Sequence, residues 1–194
     1  MRRALVVTVL LSLSLSLLTA PPAFAATVSI GDYFFSPTPI KAVQGTTVSW
    51  HNGGSVTHTS TQNASLSLWN TGNIAPGATS ASVTLLAAGS YPYHCAIHTF
   101  MTGSVKVPIQ ISPTMGSSST TFTITLASAT QTGFTYDIQM KVGSGSYTTW
   151  MSGVSTRTVT FKGASGTYSF RSRLHKTSNG ATSGYSPAKK ISVS

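Results

Sequence analysis

The chain has 194 residues, with twelve Lys and Arg against two Asp and Glu, a formal net charge of +10, and a single cysteine. The two acids, Asp32 and Asp137, stand about a hundred positions apart. That excludes paired-carboxylate glycoside hydrolysis, which needs two acids flanking one bond, and carboxylate-rich Ca²⁺ or Mg²⁺ cages, which need several oxygen ligands.

Residues 1–25 begin with Arg2 and Arg3, continue through an apolar run over 4–18 and end in Ala23-Phe24-Ala25. A basic start, an apolar middle and a small-x-small end predict a secretory signal cleaved after Ala25. The apolar run is shorter than the roughly 20 residues that span a bilayer and is diluted by Ser12, Ser14 and Ser16, so no transmembrane anchor is expected. With the sole cysteine far downstream, a lipid anchor on a mature N-terminal cysteine is excluded as well.

From Thr27 onward, short alternating apolar segments are bounded by Gly, Pro, Asn and Ser, and no stretch keeps helical spacing for three turns. The expected fold class is all-β. Val28 and Ile30, Val48 and Trp50, Val83 and Leu85, Tyr91 and Tyr93, then Val105 and Val107 mark strands in the first part. The stretch SPTMGSSST over 112–120 reads as an exposed connector. It divides the mature chain into a first domain over 26–112, a linker over 113–120 and a second domain over 121–194. Beyond it Phe122, Ile124 and Leu126, then Phe134, Tyr136, Ile138, Met140 and Val142, then Tyr168, Phe170, Ser172 and Leu174 each line one face of a strand.

Charge follows the same division. The first part holds Lys41 and Lys106 against Asp32, and the second holds eight Lys and Arg, among them Lys141, Lys162, Arg171 and Arg173, against Asp137. A basic face of this kind attracts anionic polymers or an acidic redox partner. No aromatic-rich RNA-reading motif accompanies it, so specific nucleic-acid binding is not expected.

An exported protein with one thiol needs a use for it. Cys95, His98 and Met101 are spaced C-x-x-H-x-x-M, close enough for one loop to wrap a single centre. A second imidazole from elsewhere completes two His, one Cys and a weak axial thioether, the set that suits copper in two oxidation states. Zinc prefers four firm donors and gains little from Met. Of the remaining histidines, His94 points to the opposite face from Cys95, His175 belongs to the other domain, and His51 sits on an alternating strand. His58, in the polar turn GGSVTHTST, is the expected fourth ligand.

These residues carry a resemblance. FFSPTPIKAVQGTTVSWHN, VTHT, WNTGNIAPGATSASVTL and GSYPYHCAIHTFMTGSVKV occur in that order and resemble the cupredoxins, specifically the plastocyanin and amicyanin group. The resemblance implies a Greek-key β-sandwich holding one type 1 (blue) copper ion, with His58, Cys95 and His98 in the trigonal plane and Met101 axial. It implies a one-electron carrier, not an enzyme, that meets redox partner proteins through an apolar surface around His98. Ile74, Ala75, Pro76, Ile97 and Phe100 are candidates for that surface. Two positions depart from the usual pattern: Ile97 stands where Pro often precedes the second ligand His, and Thr59 where Asn often follows the first.

In the second domain FTYDIQMKVGSGSYTTW, RTVTFKGASGTYSFRSRL and SNGATSGYSP resemble a fibronectin type III module. Together the two resemblances imply a secreted, extracytoplasmic copper carrier with a basic module for a partner or an anionic cell-surface polymer. The alternatives are a copper-delivery protein that does not cycle, and an adhesion module with a structural copper site.

Overall fold

The computed structural model describes residues 25–62 and 65–194, and the predicted signal lies outside the described residues except for Ala25. The described residues form strands and no helix, the all-β class expected from alternation. In chain order the first half gives β1 (Ala25–Gly31), β2 (Phe34–Ser36), β3 (Ile40–Lys41), β4 (Thr46–Asn52), β5 (Thr61–Gln62), β6 (Val83–Leu85), β7 (Gly89–His94) and β8 (Thr102–Val107). The second half gives β9 (Gln110–Ser112), β10 (Met115–Gly116), β11 (Phe122–Thr125), β12 (Phe134–Val142), β13 (Thr148–Val154), β14 (Thr158–Phe161), β15 (Gly166–Lys176) and β16 (Lys189–Val193).

The first eight strands make two four-stranded sheets, ordered β2-β1-β4-β6 and β3-β8-β7-β5. β4 shows why they close on one another: its residues alternate between buried and half-buried along the whole strand, which puts Val48, Trp50 and Asn52 inside. Trp50 bridges the sheets, its ring 5.7 Å from Trp69 and 5.5 Å from Tyr93 on β7, while Phe35 on β2 meets Tyr93 at 4.8 Å. These aromatics bury large apolar areas in offset or edge-on contact.

The other strands make a five-stranded sheet, β10-β16-β15-β12-β13, and a three-stranded one, β14-β11-β9. Phe161 on β14 meets Phe170 on β15 at 5.0 Å and Trp150 on β13 at 5.9 Å, so the core between these sheets is aromatic too. On β15 Tyr168, Phe170, Ser172 and Leu174 are buried while Arg171 and Arg173 are half-buried. Around the expected linker, residues 110–112 pair with β11, and Met115 and Gly116 pair with β16.

Asp137, buried on β12, accepts bonds from Ser152 Oγ (2.8 Å), Gly153 N (3.1 Å) and Arg173 Nε (3.0 Å), with His175 Nδ1 at 3.4 Å. Burial alone would raise its pKa, but bonds from Ser152, Gly153, Arg173 and His175 outweigh that and hold the carboxyl below its ordinary 3.8. A carboxyl favoured as the anion in the folded state stabilises above its unfolded pKa, and that contribution is lost as pH falls through the lower folded value. Asp137→Asn is therefore expected to lower the thermal midpoint near pH 7, with the gap to wild type shrinking as pH falls below the carboxyl's ordinary 3.8. Thermal scans across neutral and acidic pH measure it.

The halves are joined through backbone. Ser90 and Gly184 exchange N–H···O bonds of 2.8 and 2.9 Å, Ala88 N donates to Leu126 O at 2.8 Å, and Ser128 N donates to Leu86 O at 2.9 Å. Gln44 Nε2 adds a bond to Thr125 O at 2.9 Å. Gly89 makes the approach feasible, because a Cβ there would lie 2.7 Å from Ser183 Oγ. This junction meets the start of β7, and Cys95 follows the other end of that strand. Five residues at about 3.3 Å each separate Ser90 from Cys95 by roughly 16 Å.

Candidate metal centre

His58, Cys95 and His98 converge. Cys95 Sγ lies 3.7 Å from His58 Nδ1 and 3.7 Å from His98 Nδ1, and the two Nδ1 atoms are 3.2 Å apart. A point equidistant from the corners of that triangle is about 2 Å from each, close to a metal–imidazole bond and slightly inside a metal–thiolate bond of ~2.3 Å. The thiolate and the two imidazoles thus sit where one small ion can take all three, and the soft sulfur with two imidazoles fits copper. Cys95 and His58 are fully buried and His98 is half-buried.

Each side chain is positioned by bonds at the ends of strands. His58 is held by a two-way backbone pairing with Ile74, His58 N to Ile74 O at 3.1 Å and Ile74 N to His58 O at 2.7 Å. The turn leading to it is tied from below by Asn52, whose Nδ2 donates to Val56 O and Ile74 O, each at 2.8 Å, and whose Oδ1 accepts from Gly54 N at 3.0 Å. From the side, Asp32 accepts from Ser55 N at 2.7 Å and Ser55 Oγ at 2.8 Å. The Ser55 bonds hold the Asp32 carboxyl below its usual value.

The cysteine loop closes on itself, Met101 N donating to His98 O at 2.9 Å and Cys95 N to Met101 O at 3.0 Å. Met101 is 2% exposed, and these backbone bonds fix its main chain beside Cys95 and His98. Thr59 clasps the loop to the His58 turn. Its backbone N–H donates to Cys95 Sγ at 3.4 Å, its hydroxyl lies 3.9 Å from that sulfur, and the same hydroxyl accepts from Ala96 N at 2.7 Å. N–H donation to sulfur stabilises the thiolate and bears on the potential of a bound metal.

Burial, then the nearby His98, lower the pKa of His58 below its ordinary 6.5, with Asp32 opposing. The imidazole is therefore neutral at neutral pH and free to donate a lone pair.

Of the four residues singled out in the sequence, the fold brings the His58, Cys95 and His98 donor atoms together, and Met101 closes the same loop through its backbone bonds to Cys95 and His98. The other histidines lie elsewhere. His51 Nδ1 is 3.0 Å from Thr79 Oγ1, His94 belongs to β7, and His175 neighbours Asp137. The apolar rim differs from expectation at one position: Ile74 is 2% exposed, because its backbone is committed to His58 and its side chain turns into the core. Ile97 and Phe100 are exposed as expected, and Tyr33, which alternation did not single out, joins them at 50% exposure, its ring 6.0 Å from that of Phe100. Tyr33 adopts φ 69°, a left-handed turn that aims its ring edge-on at His98, centroids 5.0 Å apart. The Asp-Tyr-Phe-Phe run after a strand end was the available signal.

The family model described as a cupredoxin-like domain matches residues 3–107. No curated protein matches the chain. Among solved structures, a novel purple cupredoxin from Nitrosopumilus maritimus is 28% identical over 42% of this chain and 98% of its own, with a TM-score of 0.39. A reduced amicyanin variant is 27% identical over 43% of this chain and 81% of its own, TM-score 0.40. Another amicyanin variant, in a reduced Cu(I) form at pH 4, is 27% identical over 46% and 85%, TM-score 0.40.

Proposed function

The chain belongs to the cupredoxin-like domain family, a copper-binding family of electron carriers, and from that premise we propose that it is an exported blue copper protein that passes single electrons between partner proteins. The observation that carries this reading is the triangle of His58 Nδ1, Cys95 Sγ and His98 Nδ1, with Met101 buried in the same loop, where its thioether would supply a weak fourth ligand. Copper held there supplies one-electron exchange between Cu(II) and Cu(I).

The chain's own residues supply everything else. His58 and Cys95, fixed from two strands, keep the donor triangle in place through both charge states, so little must rearrange. Asn52, Asp32 and Thr59 brace the two turns against each other. His98 is the exit for the electron because it alone of the three is partly exposed, and Tyr33 and Phe100 flank it, with exposed Ile97 next to it in the chain, as apolar surface on which a partner can exclude water. No group is placed for turnover chemistry, and the chain alone is not an enzyme in this reading.

We assign residues 121–194 to a fibronectin type III-like module, preceded by the 113–120 connector, that binds an anionic cell-surface polymer. Its support is a ladder of cations on the five-stranded sheet alternating with rings from the segments beside its strands. The Arg171 guanidinium lies 4.0 Å from the Tyr147 centroid and 4.8 Å from that of Tyr185, with Arg173 4.9 Å from Tyr185 and Lys141 5.3 Å from Tyr147. Arg171 is also gripped by Gln139 Oε1 through Nε at 2.9 Å and Nη2 at 2.7 Å. Guanidinium groups already ordered lose little entropy on binding phosphate or carboxylate. Lys162 follows β14, in the other sheet, and stands apart from the ladder. Because the junction meets the opposite end of β7 from Cys95, tethering leaves the copper end facing away. An extracytoplasmic location rests on the leader expected from the sequence, and no helix among the described residues is long and apolar enough to cross a membrane.

The test is an optical and paramagnetic-resonance titration of the purified protein with Cu(II). One equivalent should produce intense colour that bleaches and returns reversibly with one electron. Tight Cu(I) binding without reversible cycling would mean delivery instead, and a colourless protein would end the copper reading.

A further inference from the structure

A groove of about 530 Å³ lies between the two sandwiches, on the face away from the donor triangle. Its walls are small and apolar, including Ala26, Ala42, Val43, Pro108 and Pro187, and Lys41, Lys106 and Lys189 line it too. Two of these lysines form an unfavourable pair. β3 and β8 run parallel with Lys41 directly opposite Lys106, and like charges facing across a ladder destabilise it.

No carboxylate side chain of the protein relieves them. The chain has two acids: Asp32 is spent on the Ser55 turn and Asp137 on Ser152, Gly153 and Arg173. Lys189, from the second half, brings a third positive charge to the same cavity. Three cations lining one groove without side-chain counterions call for an anion from outside. The apolar walls call for something more than a bare ion, and the volume falls in the range of small-molecule sites, roughly 300–1,000 Å³.

We propose that this inter-sandwich groove binds a single-chain fatty acid, its carboxylate held by Lys41, Lys106 and Lys189 and its alkyl chain laid along the Ala and Pro walls. The carboxylate removes the repulsion between the two facing lysines, so binding stabilises β3 on β8. Because Pro187 and Lys189 come from the second half and Lys41, Lys106 and Pro108 from the first side of the junction, the ligand also fastens the halves together. Nothing in this proposal depends on copper, and the copper reading can fail without touching it.

Decanoate, below its micelle-forming concentration, is the probe, followed by titration calorimetry of the purified protein at low salt. A saturable one-to-one isotherm is expected, weakened at least about tenfold in Lys41→Gln and in Lys106→Gln, the loss of one charge-assisted hydrogen bond. Decanol, with the same chain and no charge, should bind at least about tenfold more weakly than decanoate by the same reasoning. A second readout needs no ligand: unliganded Lys41→Gln should melt above wild type at low salt, with the difference shrinking as salt screens the pair. Non-saturating uptake, equal binding of decanol, or lysine variants that bind decanoate as wild type does would each overturn the proposal. So would a Lys41→Gln protein that melts at or below the wild-type temperature at low salt.

Discussion

Cys95→Ser protein offered one equivalent of Cu(II) is expected to stay colourless while wild type turns intensely coloured. The chain has one cysteine, so the substitution removes the only thiolate that can place a soft anionic donor on the ion. What remains at the site is two imidazoles, a hydroxyl and the Met101 thioether, a harder set that binds Cu(II) without thiolate-to-copper absorption and disfavours Cu(I). The fold should survive, since Ser is close in size to Cys and Thr59 N can donate to its oxygen. Met101→Gln would separate the three converging donors from the thioether: it should keep the colour and shift the reduction potential, which a weak fourth ligand would tune. Visible spectra and cyclic voltammetry on both variants read these outcomes, and an intensely coloured Cys95→Ser protein would remove the sulfur from the site.

Trp50→Ala should give the largest loss of stability, about 3–5 kcal/mol. The Trp50 side chain is fully buried between the two sheets of the first sandwich, stacked on Trp69 and edge-on to Tyr93. The rings of Trp69 and Tyr93 would line the cavity left behind, and a sandwich held by bonds at its edges cannot collapse to fill it. Domains are typically stable by only about 5–15 kcal/mol, so the variant approaches the limit of folding. In urea the transition midpoint should fall with little change of slope. Copper colour should survive at low temperature and vanish with the sandwich on warming, because strand ends, not Trp50, position the donors.

The substitution also probes how much the two sandwiches share. The junction consists largely of backbone bonds between the Leu86–Ser90 segment and residues 126–128 and 184, and that segment loses its register when the first sandwich melts. Loss of the first sandwich should therefore lower the stability of the second, seen as two transitions that move together in Trp50→Ala.

Much of the centre was legible in the chain because its spacing is local. Cys95, His98 and Met101 fall within one turn-sized loop, and any backbone that closes this loop brings three donors near one point. The strands announced themselves for the same reason: alternation at Val48 and Trp50 or at Tyr91 and Tyr93 is a property of neighbours two residues apart. His58 was reached by elimination among histidines, since nothing local ties it to a loop nearly forty positions away.

The tertiary structure decided what depends on register between distant segments. The Thr59 N–H on the cysteine sulfur exists because the His58 turn and the Cys95 loop meet at one end of the sandwich. Ile74 turned inward because its backbone pairs with His58, and Tyr33 reached His98 through a left-handed turn that no periodicity encodes. Lys41 and Lys106 looked like two scattered surface charges until parallel pairing of β3 with β8 set them side by side. Donors close in sequence are gathered by chain geometry alone. Contacts between distant segments are chosen by the summed packing of the whole core, which no short stretch of sequence contains.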